Sequence, residues 1–329
     1  MTARPDPQEQ PVSRRLPLRA AVPVALTTVL LLAGCGGGDD DSASADPSSD
    51  GASSSADSAV PDTSDIVDGV TEDTALAGGL PADLTSLSVG SNVQSPPNNF
   101  YAEDGSTPVG FEVDIITSIG KKLGLDVEYS DMAFDSLITS LQTGRVDATI
   151  AGMNDTAERQ ATIDFVDYFT SGITIMVQKG NPAGIEASAD LCGKGIAVVQ
   201  GTTQEDFAAG QSAECEANGE DPLEVTATPS DSQNQTQLRT GRVDAILNDL
   251  PTAVYISKTA GDGEYFETVD QDPINGGPYG IGVAKEDIAL RDAVQQALQS
   301  LIDDGTYGEI LEAWDVTSGA VDQATVNGG

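Results

Sequence analysis

Two stretches of this chain are nearly identical and begin 97 residues apart, at positions 141 and 238. Leu141–Ala148 reads Leu-Gln-Thr-Gly-Arg-Val-Asp-Ala, and Leu238–Ala245 reads Leu-Arg-Thr-Gly-Arg-Val-Asp-Ala. Each follows helix-like sequence and precedes an apolar run typical of a strand. Gly144 and Gly241 stand where a helix would end in a left-handed residue, which glycine adopts without a side-chain clash. The pattern predicts one helix–turn–strand unit built twice, once in each of two α/β lobes, with a ligand cleft between them.

The N-terminal segment has the layout of an export signal. Several arginines precede an apolar run over residues 20–32, which is too short to span a membrane. The run ends in Leu-Ala-Gly-Cys35, which resembles the lipobox of bacterial lipoproteins, where the cysteine becomes the lipidated first residue. We therefore expect a signal peptide over residues 1–34 and a chain anchored to the outer face of the cell membrane through Cys35.

The next segment is poor in apolar residues and strongly acidic. Residues 36–85 are rich in Gly, Ser, Ala and Asp, with twelve acidic and no basic residues. Such a composition does not offset its ordering entropy by burial, so we expect residues 35–85 to form a disordered, lipid-tethered linker. The sequence after residue 85 predicts a first lobe over residues 86–179 plus 276–316, a second lobe over 180–275 and a C-terminal tail over 317–329.

Composition excludes several kinds of function. The formal net charge is −38, with 15 basic residues against 53 acidic ones, so nucleic acid is a poor partner. The chain has no histidine, which removes the usual catalytic triads and nearly all zinc and copper sites. We expect no catalytic residue, no metal site and no cofactor, and a monomer that meets the membrane only through its lipid anchor.

With Cys35 lipidated, Cys192 and Cys215 remain in an exported chain, where disulfides persist. We predict that these two cysteines are bonded to each other, with two free thiols as the alternative.

Strand-like and helix-like segments alternate, which predicts an α/β fold. Thr202 and Glu205 have the spacing of a capping box, so a helix begins there and offers an anion site at its N-terminus. Asp155 and Glu158 indicate a weaker helix start. The other main segments are predicted as strands over 126–129, 146–151, 163–169, 173–177, 196–199 and 279–284, and helices over 134–142, 287–302 and 306–314.

Two charged residues follow the repeated strands. Arg159 lies just beyond the first repeated strand, and Asp249 ends the second. If the lobes face each other, a guanidinium and a carboxylate share one cleft, which suits an amino-acid zwitterion. Arginine holds a carboxylate through two parallel hydrogen bonds, and aspartate accepts from an ammonium group. The alternatives are a helix-surface arginine and an aspartate that only forms a turn.

Residues 86–316 resemble the family 3 extracellular solute-binding proteins of ABC transporters, which mostly bind polar amino acids. The segments that carry the resemblance occur in order over this whole region. They are Val109–Asp114, Thr143–Ala148, Ala151–Met153 with Glu158–Arg159, Ile163–Phe165, Gln200–Thr203, Pro278–Ile281, and Asp304–Tyr307 with Trp314. The resemblance implies a type II periplasmic-binding-protein fold, in which two hinge strands join the lobes and the cleft closes on the ligand.

The resemblance also implies roles for individual residues. Arg159 falls on the family's carboxylate-binding arginine and Asp249 on its ammonium-binding aspartate. Thr202 and Thr203 fall on the carboxylate-binding turn. Three further positions match residues that contact the ligand in the family: Gly152, Asn154 and Phe134.

Some positions depart from the family pattern. Asn92 and Ser95 stand where an aspartate and an aromatic residue are common, and we expect Phe100 or Tyr101 to supply the ring. The side-chain contacts predicted from the sequence are neutral and polar, namely Asn92, Asn154, Gln200 and Asn248. They favour a neutral polar amino acid such as glutamine.

Other functions stay open at this point. One is a dehydratase-like enzyme on the same fold, although the sequence indicates no paired carboxylates in the cleft. Another is a ligand-sensing module. A third keeps the binding function but changes the ligand to an opine or another amino-acid derivative. The function we expect is capture of an amino acid outside the cell for the permease subunits of an ABC importer.

Overall fold

The structure is a computed structural model that describes residues 60–82 and 84–329. The predicted signal peptide, the lipidated Cys35 and the linker up to residue 59 lie outside the described residues. Within the described ranges, no helix is both long and apolar enough to cross a membrane.

Helices and strands alternate along the chain, as the sequence predicts for an α/β fold. The helices are α1 (Ser64–Asp68), α2 (Thr74–Ala77), α3 (Phe111–Leu123), α4 (Leu137–Gln142), α5 (Ala157–Gln160), α6 (Thr203–Asn218), α7 (Asp231–Arg239), α8 (Leu250–Thr259), α9 (Ile288–Asp303) and α10 (Thr306–Ala313). The strands are β1 (Ser86–Ser91), β2 (Phe100–Tyr101), β3 (Pro108–Val109), β4 (Asp126–Asp131), β5 (Ala148–Thr149), β6 (Ile163–Gln178), β7 (Gly195–Val199), β8 (Glu224–Thr228), β9 (Ala245–Asp249), β10 (Phe266–Thr268), β11 (Ile274–Ala284) and β12 (Thr325–Val326).

Two long antiparallel strands, β6 and β11, join the two lobes. In lobe 1 the strand order is β4-β1-β5-β11-β6, and in lobe 2 it is β6-β9-β7-β8. In lobe 1, β1 pairs in parallel with β4 and β5, and in lobe 2, β7 pairs in parallel with β8 and β9. The carboxyl ends of parallel strands meet at one edge, so each lobe presents its strand-end loops together.

The lobe boundary lies earlier in the chain than predicted. Residues up to Ser171 of β6 pair with β11 in lobe 1, and Ile173 to Val177 pair with β9 in lobe 2. The crossing is therefore at Gly172 inside one continuous strand, not at residue 179 after two separate strands. A Cβ at Gly172 would lie 2.8 Å from the Cβ of Pro273, so the two hinge strands approach too closely there for a side chain. The return crossing lies between Ile274 and Gly277, where the register of β11 with β6 shifts.

The repeated units form as predicted, with one difference in length. Gly144 and Gly241 have φ of 63° and 67° and end their helices in the left-handed region. The strand after Gly241 is β9, with five residues, whereas β5 after Gly144 has only two. The predicted strand over 146–151 was too long, because β5 makes only two residue pairs with each neighbouring strand.

The predicted linker was also too long. Residues 60–80 contain α1 and α2, which pack on α3, α9 and α10 of lobe 1. Their apolar side chains are half-buried against the lobe 1 core: Val60, Ile66, Val70, Leu76 and Leu80. The acidic composition concealed these short helices, because only a few well-spaced apolar residues attach them to the lobe.

The C-terminal tail is an ordered part of lobe 1. Within it, β12 pairs with β6 at Asp167 and Val166. Asn327 accepts a hydrogen bond from the Phe165 amide at 2.8 Å, and the Gly329 amide donates to Asp155 at 3.0 Å. The tail thus packs directly beneath the loop that leads to α5.

Other element boundaries differ by a turn or less. The predicted helix over 134–142 begins as a 3-10 turn at Phe134–Ser136 before α4. Thr156, not Asp155, caps α5, because its hydroxyl accepts from the Arg159 amide at 3.3 Å.

The predicted disulfide is present in lobe 2. Cys192 and Cys215 are bonded, with their Cα atoms 5.6 Å apart and a sequence separation of 23 residues. Cys215 is fully buried in the lobe 2 core and lies near the end of α6. The bond therefore ties α6, whose other end faces the cleft, to the segment before β7.

We predict that reducing this disulfide destabilises the protein by about 3 kcal/mol, because the closed loop restricts the unfolded chain. For a body of this size that corresponds to a melting temperature lower by roughly 6–12 °C. Thermal unfolding with and without dithiothreitol measures the effect. A Cys192→Ser/Cys215→Ser double variant is the control and should not respond to the reductant. An unchanged melting temperature for the reduced native protein would contradict the prediction.

Candidate functional site

The cleft between the lobes is closed around a small polar cavity of about 40 Å³. Its walls come from the carboxyl ends of β1 and β5 in lobe 1 and of β7, β8 and β9 in lobe 2. The lining residues are Asn92, Ser95, Asn98, Phe134, Ala151, Gly152, Asn154, Val199, Thr202, Gln204, Asp231, Leu247, Asn248, Asp249 and Thr252. Most of the residues predicted from the sequence are among them.

Arg159 reaches the cleft from the short helix α5. Its Nη1 donates to the Asn154 carbonyl at 2.9 Å and its Nη2 to the Gly201 carbonyl at 3.1 Å. The guanidinium also lies over the Phe134 ring, 5.5 Å from the centroid, a cation–π contact. Burial lowers the pKa of Arg159, and nearby acidic residues oppose that shift. The guanidinium therefore stays charged and is held at the interface of the two lobes.

Asp249 ends β9 and precedes α8 directly. Its Oδ1 is shielded from solvent and has no partner at full hydrogen-bond geometry among the described residues, although the Tyr279 and Gln204 side chains lie near enough to lower its pKa. Burial raises the pKa of Asp249 to about 7. A shielded carboxylate oxygen without a donor is costly, so this oxygen is suited to a cationic or N–H group of a ligand.

The N-terminus of α6 faces Arg159 across the cleft. Thr202 caps the helix as predicted, with its hydroxyl accepting from the Glu205 amide at 3.4 Å. The Glu205 carboxylate accepts a hydrogen bond from the Gly201 amide at 2.7 Å, whereas in a standard capping box the donor is the next residue, Thr202. Thr203 donates to Asn154 Oδ1 at 2.8 Å and so joins the lobes. A helix N-terminus beside a guanidinium is a favourable place for a carboxylate.

Gly152 requires its glycine because it has φ of 58° and a Cβ there would lie 2.9 Å from Asn98 Nδ2. Its amide donates to Glu112 Oε1 at 2.8 Å. Glu112 is fully buried, and it also accepts hydrogen bonds from Asn98, Asn99 and the Tyr168 hydroxyl. Burial raises the pKa of Glu112 to about 7. This carboxyl group holds two loops of the lobe 1 wall together.

Three residues predicted to bind the ligand are not in the cavity wall, namely Arg159, Thr203 and Gln200. Gln200 is exposed, and its backbone amide donates a hydrogen bond to the Thr228 carbonyl at 2.8 Å. Phe100 packs against Tyr255 and Trp314, with ring centroids 5.8 and 6.0 Å away. Tyr101 donates to Asp131 at 3.3 Å. The prediction that Phe100 or Tyr101 supplies a ring to the ligand site is therefore wrong, because β2 directs both side chains to other contacts.

The sequence analysis missed several polar residues of the wall: Ser95, Asn98, Gln204, Asp231 and Thr252. The most consequential is Asp231, because it places a second carboxyl group in the cleft beside Asp249. The absence of paired carboxylates, inferred from the sequence, is thus wrong. The only available signal was the position of Asp231 directly after a strand end, and an acidic residue there ordinarily indicates a helix start.

A two-lobed α/β body with a charged, polar cleft between lobes joined by two strands is the architecture of a solute-binding protein. The model of bacterial extracellular solute-binding proteins, family 3, matches residues 87–317. The chain belongs to this family, as the sequence resemblance predicts.

Relatives of this chain bind amino acids. The arginine-binding protein ArgT of Corynebacterium glutamicum is 29% identical over 263 residues, which cover 80% of this chain and 84% of that protein. The L-cystine-binding protein TcyJ of Escherichia coli K12 is 30% identical over 241 residues, which cover 70% of this chain and 84% of that protein. An ancestral arginine-binding protein solved with arginine matches with a TM-score of 0.64 at 35% identity, over 70% of this chain and 97% of that one.

Proposed function

We propose that this protein captures a polar L-amino acid outside the cell by closure of its two lobes. Arg159 and the N-terminus of α6 receive the α-carboxylate, and Asp249 receives the α-ammonium. The observation that supports the proposal is a pair of opposite charges at one cleft: the Arg159 guanidinium bonds to Asn154 of the cavity wall and to Gly201 of the other lobe, and a shielded oxygen of Asp249 lies in that wall. These are the complementary charges of an α-amino acid, which is the part common to all such ligands.

The energetics fit capture of a dilute solute. Hydrogen bonds to charged groups contribute about 1.5–3 kcal/mol each. Four such bonds, offset by the cost of association, correspond to micromolar binding at about −8 kcal/mol. The contacts across the cleft, from Arg159 to Gly201 and from Thr203 to Asn154, join groups that a ligand carboxylate would bridge.

Delivery to an ABC importer is the second part of the proposal. Family membership and the amino-acid-binding relatives support it. We propose that the lipidated Cys35 holds the protein at the outer face of the membrane as a monomer. The acidic linker then lets the closed lobes reach the permease subunits.

The charge and chemistry of the ligand's side chain are a separate part of the proposal. The neutral, glutamine-like hypothesis depends on Asn92, Asn154, Gln200 and Asn248, of which Gln200 is exposed away from the cavity. Relatives named for arginine and for cystine show that the family serves ligands of different charge. An opine or another derivative would keep the α-amino-acid end and extend into the side-chain part of the cleft.

An enzymatic alternative has one observation in its favour. Asp231 and Asp249 both line the cavity, and burial raises the pKa of each to about 7, which suits proton transfer near neutral pH. Incubating the protein with its ligand and recovering the ligand separates the two functions. A binding protein returns it unchanged, whereas a dehydratase-like enzyme returns product.

We predict that one or two polar L-amino acids stabilise the purified protein strongly when all twenty are tested singly at 1 mM. At a thousand times Kd, binding to the native state alone adds about 4 kcal/mol. That corresponds to a melting temperature higher by roughly 8–16 °C for a body of this size. The D-enantiomer of each stabilising ligand is the matched control and should have little effect. If no amino acid shifts the transition, α-amino-acid capture is contradicted.

A further inference from the structure

The side-chain end of the cleft contains a buried carboxyl group with no established role. Asp231 is the first residue of α7, is 3% exposed and lines the cavity. Its Oδ1 accepts from Asn248 Nδ2 at 3.0 Å, and its Oδ2 accepts from the Ser95 hydroxyl of lobe 1 at 3.3 Å. Asp231 forms no ion pair with any residue of the described ranges.

Capping of α7 does not account for Asp231. A carboxylate at a helix start ordinarily accepts from the first free amides of the helix. Both oxygens of Asp231 instead accept from side chains that line the cavity, Asn248 and Ser95. Burying a carboxyl group without a cationic partner costs stability, so its retention in the wall of a ligand cleft points to a partner on the ligand.

The amide side chains around Asp231 have part of their donor capacity bonded to protein groups. Asn92 donates its Nδ2 to the Met132 carbonyl at 3.1 Å, and Asn98 donates its Nδ2 to Glu112 at 2.9 Å. Asn248 donates to Asp231. One of the two N–H donors of each amide is thus directed to a protein group. The oxygens of Asn92 and Asn98 remain, and that of Asn98 has only a 3.5 Å contact with Thr252.

These hydrogen bonds change which ligand side chain the asparagines favour. From the sequence, asparagines in the cleft indicate balanced partners for an amide ligand such as glutamine. In the structure, one N–H of each of these amides is already bonded to a protein group, so a ligand amide oxygen has fewer donors than the sequence indicates. A guanidinium has five N–H donors and no acceptor, and an ammonium has three donors and no acceptor.

The charges of the cleft agree with the hydrogen-bond pattern. Arg159 contributes one positive charge, while Asp249 and Asp231 contribute two negative charges when ionised. An amino acid with a neutral side chain compensates Arg159 and Asp249 and leaves Asp231 unmatched. An amino acid with a cationic side chain matches all three.

We propose that the side-chain end of this cleft selects an amino acid with a cationic side chain and that Asp231 is its charge partner. This inference rests on the proposed function, because Arg159 and Asp249 must first fix the α-amino-acid end. It replaces the glutamine-like hypothesis with a specific residue and a specific chemistry.

L-Arginine and L-citrulline test the proposal, because they have nearly the same shape and differ in one charged group. We expect calorimetric titration to show that the native protein binds arginine roughly a hundredfold or more tightly than citrulline, since removing one partner of a buried charge pair has an effect of that size. In Asp231→Asn the preference should fall below about tenfold, mainly through weaker arginine binding. Asp221→Asn removes an exposed carboxylate elsewhere in lobe 2 and should keep the native preference.

The outcomes separate the two proposals. Native protein that binds citrulline or glutamine as tightly as arginine overturns the cationic selection but keeps amino-acid capture. Tight arginine binding with the same preference in Asp231→Asn overturns the role of Asp231. Absence of binding by any amino acid contradicts the proposed function itself. If Asp231→Asn fails to fold, Asp231→Ser and the native comparison of arginine with citrulline still decide the question.

Discussion

Replacing Arg159 with methionine is expected to weaken binding of the amino-acid ligand by about a hundredfold to ten-thousandfold. The guanidinium reaches the cleft from α5 and contacts both lobes, through the carbonyls of Asn154 and Gly201. Two charge-assisted hydrogen bonds to a ligand carboxylate contribute about 3–6 kcal/mol together, which gives that range. Methionine keeps an unbranched side chain against the Phe134 ring and removes only the charge and the donors.

Arg145→Met is the matched control for this prediction. Arg145 is exposed and belongs to the first repeated segment, outside the cleft wall. Its replacement removes the same charge from the same lobe and should change Kd less than twofold. Isothermal titration of both variants measures the difference. Ligand binding within tenfold of native in Arg159→Met would remove Arg159 from the binding site.

Replacing Asp249 with asparagine is expected to stabilise the unliganded protein and to abolish tight binding. Burial raises the pKa of Asp249 from its ordinary 3.8 to about 7. At about 1.4 kcal/mol for each pKa unit, keeping the ionised group buried at pH 8 costs on the order of 4 kcal/mol. Asparagine removes this cost, starts α8 comparably well and loses the charge that holds an α-ammonium. A variant that binds as tightly as native would contradict the assignment.

The size of the stability gain in Asp249→Asn depends on pH. Because the folded pKa of Asp249 is raised, the folded state retains a proton between about pH 4 and pH 7 that the unfolded state releases. The stability that native Asp249 contributes in its protonated form is fully present below about pH 4 and is lost as pH rises through 7. The advantage of Asp249→Asn should therefore be small at pH 4, grow up to pH 7 and stay constant above it. Thermal unfolding across this range measures the advantage, and an advantage greatest at acid pH would contradict the pKa shift.

The architecture could be predicted because short local sequence patterns indicate it. Gly144 and Gly241 stand at the same point of two near-identical segments, and the left-handed backbone they require is present at both. Cys192 and Cys215 formed the bond that export predicts. Asp249 lines the cavity because it ends β9, whereas Arg159 lies on α5 and bonds to the Asn154 carbonyl beside the cavity.

The side-chain end of the cleft could not be predicted, because it depends on which way polar groups point. Asn92 and Asn248 were predicted from the sequence as neutral partners of the ligand, whereas their amide groups donate to the Met132 carbonyl and to Asp231. Asp231 reads as the start of a helix, yet both of its oxygens face the cavity side of the wall. Such orientations follow from tertiary contacts and leave no periodic signal.

The chain ends were misjudged for a related reason. Residues 60–82 and 318–329 lie outside the region that the family model matches, 87–317. Composition alone assigned the first to a disordered linker and the second to a tail. Both pack on lobe 1 through a few apolar or backbone contacts, such as those of Ile66 and β12.

One measurement tests the central claim most directly, namely recognition of an amino acid by Arg159 and Asp249. The tightest ligand of the amino-acid panel and two analogues of it, one without the α-carboxylate and one without the α-amino group, are titrated into native protein, Arg159→Met and Asp249→Asn. We predict that each deletion weakens binding to the native protein by about a hundredfold or more. We also predict that loss of the carboxylate has little further effect in Arg159→Met, and loss of the amino group little in Asp249→Asn. Penalties of equal size in native protein and variants would contradict the account.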